Sequence, residues 1–132
     1  MFGCSSARPR DLGLRAGVLR PCPETPNCVS SESNAPEDKR VAPFPAAAGA
    51  AEMTRLARLL SSSPRTAIIT DTPGYLHAES TSLLLRFVDD LEFRYDAAAG
   101  VIQVRSASRI GRSDLGVNRK RVDALRAAWT AR

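Results

Sequence analysis

The sequence has few of the residues from which metal sites and nucleic-acid surfaces are built. It contains one histidine and three cysteines, whereas a structural zinc site takes about four nitrogen or sulfur ligands. Aromatic residues make up 5% of the chain and do not alternate with basic ones, which disfavours a surface that stacks nucleic-acid bases. No apolar run approaches the roughly 18 residues that span a bilayer. We therefore expect no metal, no cofactor, no nucleic-acid partner and no transmembrane segment.

The remaining composition is that of a single folded domain. The chain has 132 residues, of which 43% are hydrophobic and 25% charged, and a chain of this size can bury a core that folds unaided. Its formal net charge of +5 favours acidic or anionic partners. Residues 1–20 contain too few apolar side chains to offset the entropy of ordering, so we predict a flexible tether there and one domain over residues 21–132.

Gly3 and Cys4 resemble the end of a bacterial lipoprotein signal, in which a small residue precedes the cysteine that becomes lipidated. The charged and apolar regions that precede such a site are missing from the sequence as written. Two interpretations remain open: the true start lies upstream and Cys4 is the lipidation site, or Cys4 is an ordinary residue of the terminus.

The other two cysteines, Cys22 and Cys28, flank a short proline-containing segment. A disulfide between them would close a small loop and stabilise it in an oxidising compartment, leaving Cys4 available for lipidation. A reduced pair is the alternative, and metal binding is disfavoured by the lack of further ligands.

Hydrophobic periodicity predicts two helices and four strands. The helices cover about residues 46–62 and 117–131, and the strands cover about residues 66–71, 75–81, 85–95 and 101–108. Asp89 interrupts the apolar side of the third strand and predicts a bulge or a break there. We expect an α+β two-layer sandwich: a four-stranded antiparallel meander with both helices on one face and the other face open.

Four segments carry a family resemblance. They are PNCVSS at 26–31, YLHAE at 75–79, FVDDLEF at 87–93 and RSASRIGRSDLGVNRKR at 105–121. Together, and in this order, they resemble the domain of unknown function 1499 family, over about residues 12–129. Proteins similar to this are largely bacterial and often begin with an export signal. The resemblance implies an envelope protein, and it brings no established catalytic activity.

His77 and Glu79 share one side of a predicted strand, and a histidine beside a carboxylate can act as a general base. A loop serine would complete a small hydrolase-like site; the candidates are Ser106, Ser108 and Ser113. None of these serines lies in a Gly-x-Ser-x-Gly elbow. A surface or hydrogen-bonded histidine is the simpler interpretation, since a base without a nucleophile is not a site.

Asp89, Asp90 and Glu92 form an acidic group that could bind a divalent cation. Arg105 and Arg109 are predicted on the neighbouring strand, within reach of cross-strand pairing. We therefore predict internal ion pairs in preference to a cation site.

A basic cluster lies at the start of the last predicted helix, where the helix dipole disfavours cations. Carboxylates of the protein or a bound anion must compensate for it. Two interpretations remain open: a ligand site for an anion, or a closed salt-bridge network that fixes the helix to the sheet. The candidate ligand-binding residues are Arg105, Arg109, Arg112, Asn118, Arg119 and Arg121.

The function predicted from these observations is a non-enzymatic, envelope-associated domain that binds a protein partner or an anionic envelope component through this charged surface. The hydrolase using His77 is the alternative. We expect the protein to be periplasmic, or anchored to the membrane by lipid, if a signal lies upstream, and cytoplasmic if the start is as written.

Overall fold

The computed structural model describes residues 7–84, 87–109 and 116–131. Cys4, Arg112 and Ser113 lie outside these residues. The strands are β1 (Leu14–Arg15), β2 (Val18–Leu19), β3 (Cys28–Ser30), β4 (Phe44–Pro45), β5 (Thr66–Thr72), β6 (Tyr75–Thr81), β7 (Val88–Asp96) and β8 (Val101–Ser108). The helices are α1 (Glu52–Ser61) and α2 (Val117–Thr130), and residues 37–39 form a short 3-10 helix.

The predicted meander is the centre of a larger sheet. β5, β6, β7 and β8 pair antiparallel in chain order, and β3 and β4 both pair with the outer side of β8. The sheet therefore has six strands, and β1 and β2 form a separate two-stranded sheet. The prediction of four strands was wrong because β3 and β4 have three and two residues, too few to show a strand periodicity.

Two details of the predicted elements also differ. β7 pairs with β8 in continuous register from Asp89 to Asp96, so the bulge predicted at Asp89 is absent from this pair; the sheet instead shifts register in β5, between Ile68 and Thr70. α1 begins six residues later than predicted, at Glu52 rather than at residue 46. Gly49 has φ 90°, a left-handed conformation that an α-helix cannot contain.

Both helices lie on one face of the sheet, as predicted. α1 packs on β5 and β6, whereas α2 packs on β8, β3 and β4. The apolar stripes of the helices meet alternate residues of the strands in one core. Its fully buried members are Phe44, Leu56, Leu60, Leu76, Ala78, Phe93, Ile102, Val104 and Val122. Among the described residues, neither helix has the length and apolar character needed to cross a membrane.

The expectation that the other sheet face is open was wrong. Residues 7–20 lie across it, with Leu19 fully buried and the Gly13 amide donating to the Glu92 carboxylate at 2.7 Å. Apolar content did not predict these contacts because most of them are polar. The boundary between tether and domain at residue 20 stays a prediction.

The predicted disulfide is confirmed. Cys22 and Cys28 are joined, with their Cα atoms 5.7 Å apart. Cys28 is also the first residue of β3 and pairs with Ala107 of β8. The disulfide therefore connects the segment that covers the polar face of the sheet to the sheet itself.

Candidate functional site

The sheet face opposite the helices carries an ionic network that is almost fully buried. We call this surface the charged face and define it by Tyr75, His77, Glu79, Asp90, Glu92, Arg94, Arg105 and Arg109. Alternation along β6, β7 and β8 places these side chains on one side. Asp90 is 1% exposed and Glu92 is 0% exposed, so their charges depend on partners from the protein rather than on water.

Arg109, just after β8, joins two carboxylates of the charged face. Its Nε and Nη2 atoms donate to the two oxygens of Asp90, both at 2.9 Å. Nη2 also donates to Glu79 Oε2 at 2.6 Å. Burial disfavours the charged form of Asp90, but the hydrogen bonds from Arg109 and His77 outweigh burial and hold the Asp90 pKa below its ordinary value. In the same way, Arg8 and Arg109 outweigh burial at Glu79 and lower its pKa.

Arg105, on β8, is 1% exposed and lies between two acidic residues. It donates to Asp11 Oδ2 at 2.7 Å and to Glu92 Oε1 at 3.4 Å. Glu92 also accepts a hydrogen bond from the Tyr75 hydroxyl. Burial, and then the hydrogen bond to Glu92, raise the Tyr75 pKa, so the phenol stays protonated. The predicted pairing is confirmed for Glu92 with Arg105 and for Asp90 with Arg109. It was wrong for Asp89, which points to the helix side of the sheet and pairs with Arg121 of α2.

His77 lies inside this network, with Nε2 2.8 Å from Asp90 Oδ1. The ligand atoms of His77, Glu79 and Asp90 lie within 4.8 Å of one another, close enough for one metal ion to contact all three. The Arg109 guanidinium, however, hydrogen-bonds to both carboxylates. A guanidinium therefore supplies the positive charge that these carboxylates need.

The loop serines proposed for a hydrolase lie elsewhere. Ser106 donates from its hydroxyl to Asn118 Oδ1 at 2.5 Å, and Asn118 Nδ2 donates to Ser108 Oγ at 2.8 Å. Asn118 belongs to α2, so both hydroxyls point to the helix side of the sheet, whereas His77 points to the charged face. Ser113 lies outside the described residues. His77 of β6 and these two serines of β8 therefore point to opposite faces of the sheet.

The candidate ligand-binding residues fall into three groups rather than one surface. Arg105 and Arg109 belong to the charged face. Asn118 and Arg121 lie on the helix side, where Arg121 Nη1 is 2.6 Å from Asp89 Oδ2. Arg119 donates to the carbonyl oxygens of Arg40 and Asp38 at 2.9 and 3.0 Å. Whether these residues bind a ligand stays a prediction, and Arg112 lies outside the described residues.

A small cavity adjoins the charged face and brings two of the predicted arginines together. Its volume is about 220 Å³. The lining residues are Pro9, Asp11, Pro23, Thr25, Asn27, Asp90, Arg105, Ala107, Ser108 and Arg109. We call it the Arg105 cavity. Asp11 was missed from the sequence because it lies in a segment without periodicity, and only the folded chain shows that it reaches Arg105.

The match to a known family agrees with this domain. The family model described as Protein of unknown function (DUF1499) matches residues 18–129. The chain belongs to the DUF1499 family. This DUF1499 match begins at the first residue of β2 and ends at Trp129, so it includes the whole six-stranded sheet and nearly all of α2. No curated protein and no solved structure matches the chain significantly.

Proposed function

We propose that this DUF1499 domain is a non-enzymatic binding domain, and that it holds a carboxylate or phosphate group in the Arg105 cavity. The observation that carries the proposal is an unpaired donor: the buried Nε of Arg105 has no hydrogen-bond partner among the described residues. Buried donors are nearly always paired, so each exception requires an explanation. Arginine's planar fork suits a two-oxygen anion, and Arg105 and Arg109 line the same cavity.

The cavity size restricts the ligand. At about 220 Å³, it is smaller than the roughly 300–1,000 Å³ typical of drug-sized ligands. It therefore suits one anionic group, either free or at the end of a larger envelope component. Hydrolysis is not the function proposed, since His77 faces the opposite side of the sheet from Ser106 and Ser108.

Asp11 explains how such a site stays neutral without a ligand. Its carboxylate lies 2.7 Å from Arg105 Nη2, and its side chain is 43% exposed. It therefore takes the place on Arg105 that a ligand carboxylate or phosphate would take. Binding then exchanges one anion for another, without leaving a buried charge unpaired.

Asp11→Asn should tighten the binding of inorganic phosphate and of succinate by about tenfold, since the incoming anion no longer competes with a carboxylate for a charge-assisted hydrogen bond. Isothermal titration calorimetry at low and high salt measures the change. Asp123→Asn removes the same charge from an exposed site on α2, where Asp123 pairs with Arg126, and should leave binding as in the wild type. Equal affinities for the two variants would overturn the proposal.

The proposal includes an envelope location. The Cys22–Cys28 disulfide supports an oxidising compartment, since disulfides persist there and are rare in the cytosol. It also leaves Cys4 as the one cysteine outside the disulfide, which supports Cys4 as a lipidation site after Gly3.

We expect the protein isolated from its native host to carry an acylated Cys4 at its mature N-terminus. Mass spectrometry of that material measures the added mass on the N-terminal peptide. An unmodified Cys4 thiol would contradict lipidation without affecting the disulfide or the binding proposal.

A further inference from the structure

A second concave surface lies on the helix side of the sheet. α1 packs on β5 and β6, and α2 packs on β8, β3 and β4, and Leu91 of β7 lies at the base of a groove between them. The groove between them has a volume of about 550 Å³. We call it the inter-helix groove. Its apolar lining comes from α1, α2 and the sheet: Leu59, Leu60, Leu91, Val117, Ala124, Leu125 and Ala128.

The charge of the groove is of one sign. Arg65, Lys120 and Arg121 line it, and the described lining residues include no carboxylate. Arg121 is neutralised by Asp89, 2.6 Å away. Arg65 donates from Nε to the Thr81 carbonyl oxygen at 3.2 Å, and Lys120 is exposed. Within the described chain, neither of these two residues has a salt bridge to a carboxylate.

The first turn of α2 strengthens this positive potential. It contains Arg119 and Lys120 and no acidic side chain, although the helix dipole disfavours cations at that end. Arg119 is directed to backbone carbonyl oxygens, and Lys120 borders the groove. An anion beside Lys120 would interact favourably with both the ammonium group and the helix N-terminus.

We propose that the inter-helix groove binds a fatty acid. The carboxylate pairs with Lys120 and Arg65, and the acyl chain lies along Leu59, Ala124 and Leu125. The small side chains of α2 leave room for a chain of methylenes, whose removal from water favours binding. The volume of the groove falls within the roughly 300–1,000 Å³ of small-molecule sites. A stable protein interface, by contrast, buries more than about 1,000 Å² of surface, so a small molecule suits the groove better than a protein.

This site is independent of the Arg105 cavity. The two lie on opposite sides of the sheet and share no lining residue. Failure of phosphate or succinate to bind therefore leaves the fatty-acid proposal standing, and the converse also holds.

The test is to titrate the whole chain with dodecanoate below its critical micelle concentration and to measure the affinity by isothermal titration calorimetry. Lys120→Met should weaken binding roughly tenfold by removing the principal cation. Ala124→Glu should abolish binding, because it places a carboxylate in the lining four residues after Lys120, where it can pair with that side chain. Arg58→Met, which removes an exposed cation of α1 outside the lining, should leave binding unchanged. Circular dichroism establishes that each variant is folded.

Three results would overturn the proposal. The first is no binding of dodecanoate by the wild-type chain. The second is equal binding of dodecyltrimethylammonium, which has a head group of the opposite charge and an alkyl chain of similar length. The third is that the wild-type chain binds anionic vesicles but not dodecanoate, and that a Leu84→Ser variant no longer binds the vesicles. That last result would assign the surface to a membrane, since Leu84 is 87% exposed and lies two residues after Ser82 of the groove lining.

Discussion

Replacing Arg109 with methionine should lower the free energy of unfolding by about 3–5 kcal/mol. Arg109 holds both oxygens of Asp90 at 2.9 Å, and the Asp90 side chain is 1% exposed. Without the guanidinium, a carboxylate that is almost entirely buried loses its main partner. Urea denaturation at neutral pH measures the loss.

Acidification provides a second measurement of the same network. The Asp90 pKa is held below its ordinary value of 3.8, because the hydrogen bonds from Arg109 and His77 outweigh the effect of burial. A carboxyl group with a lower pKa in the folded state than in the unfolded state stabilises the fold at any pH above its unfolded-state pKa. This stabilisation is lost as the pH falls through the folded-state pKa. The difference in the free energy of unfolding between wild type and Arg109→Met should therefore become smaller below about pH 4.

Two further variants test the explanation. Adding Asp90→Asn to Arg109→Met should recover part of the lost stability, because the buried charge is removed along with its partner. Arg15→Met changes an exposed cation of β1 and should alter the free energy of unfolding by less than about 0.5 kcal/mol. A loss at Arg109 as small as that at Arg15 would contradict a structural role for the pair.

Trp129→Ala should destabilise the domain by about 3–5 kcal/mol. Trp129 is 1% exposed, and its ring centroid lies 5.9 Å from that of Phe44. The Arg55 guanidinium of α1 lies 3.2 Å from the ring centroid, and Nε1 donates to the Pro45 carbonyl oxygen at 2.7 Å. One side chain thus joins α2 to α1 and β4, and its removal leaves a cavity where they meet.

Thermal and urea unfolding of a small series measure this contribution. Trp129→Phe retains most of the ring and loses the hydrogen bond to Pro45, so we expect a smaller loss of about 1–3 kcal/mol. Thr130→Ala, at the exposed next position, should stay within about 0.5 kcal/mol of wild type. Equal stability of the Phe and Ala variants would show that the ring does not fill the core as described.

Much of the fold could be predicted from periodicity. The strands at Tyr75–Thr81 and Val101–Ser108 have the predicted bounds, and α2 ends one residue before its predicted end. β3 and β4 could not be predicted, because strands this short are defined by pairing with β8 rather than by a pattern of their own.

The candidate site residues could be predicted only in part. Residue type and spacing identified Arg105 and Arg109 as partners of Glu92 and Asp90, since opposite charges on neighbouring strands favour pairing. They also grouped Arg119 and Arg121 with those two, whereas strand alternation and the position of α2 separate them onto different sides of the sheet. The basic residues that lie close together in the sequence therefore belong to two surfaces: the charged face and the helix side of the sheet, where the inter-helix groove lies.

The sequence by itself determined the family, the α+β class and the order of the central strands, because each depends on local pattern or on motifs in chain order. It favoured the disulfide over a reduced pair, and the structure confirms the disulfide. Only the tertiary structure decided that residues 7–20 cover the charged face, that Asp11 reaches Arg105, and that a groove separates α1 from α2. Asp11 and Arg105 are 94 positions apart. Contacts between residues so far apart in the sequence depend on how the whole chain packs, and local sequence propensity does not predict them.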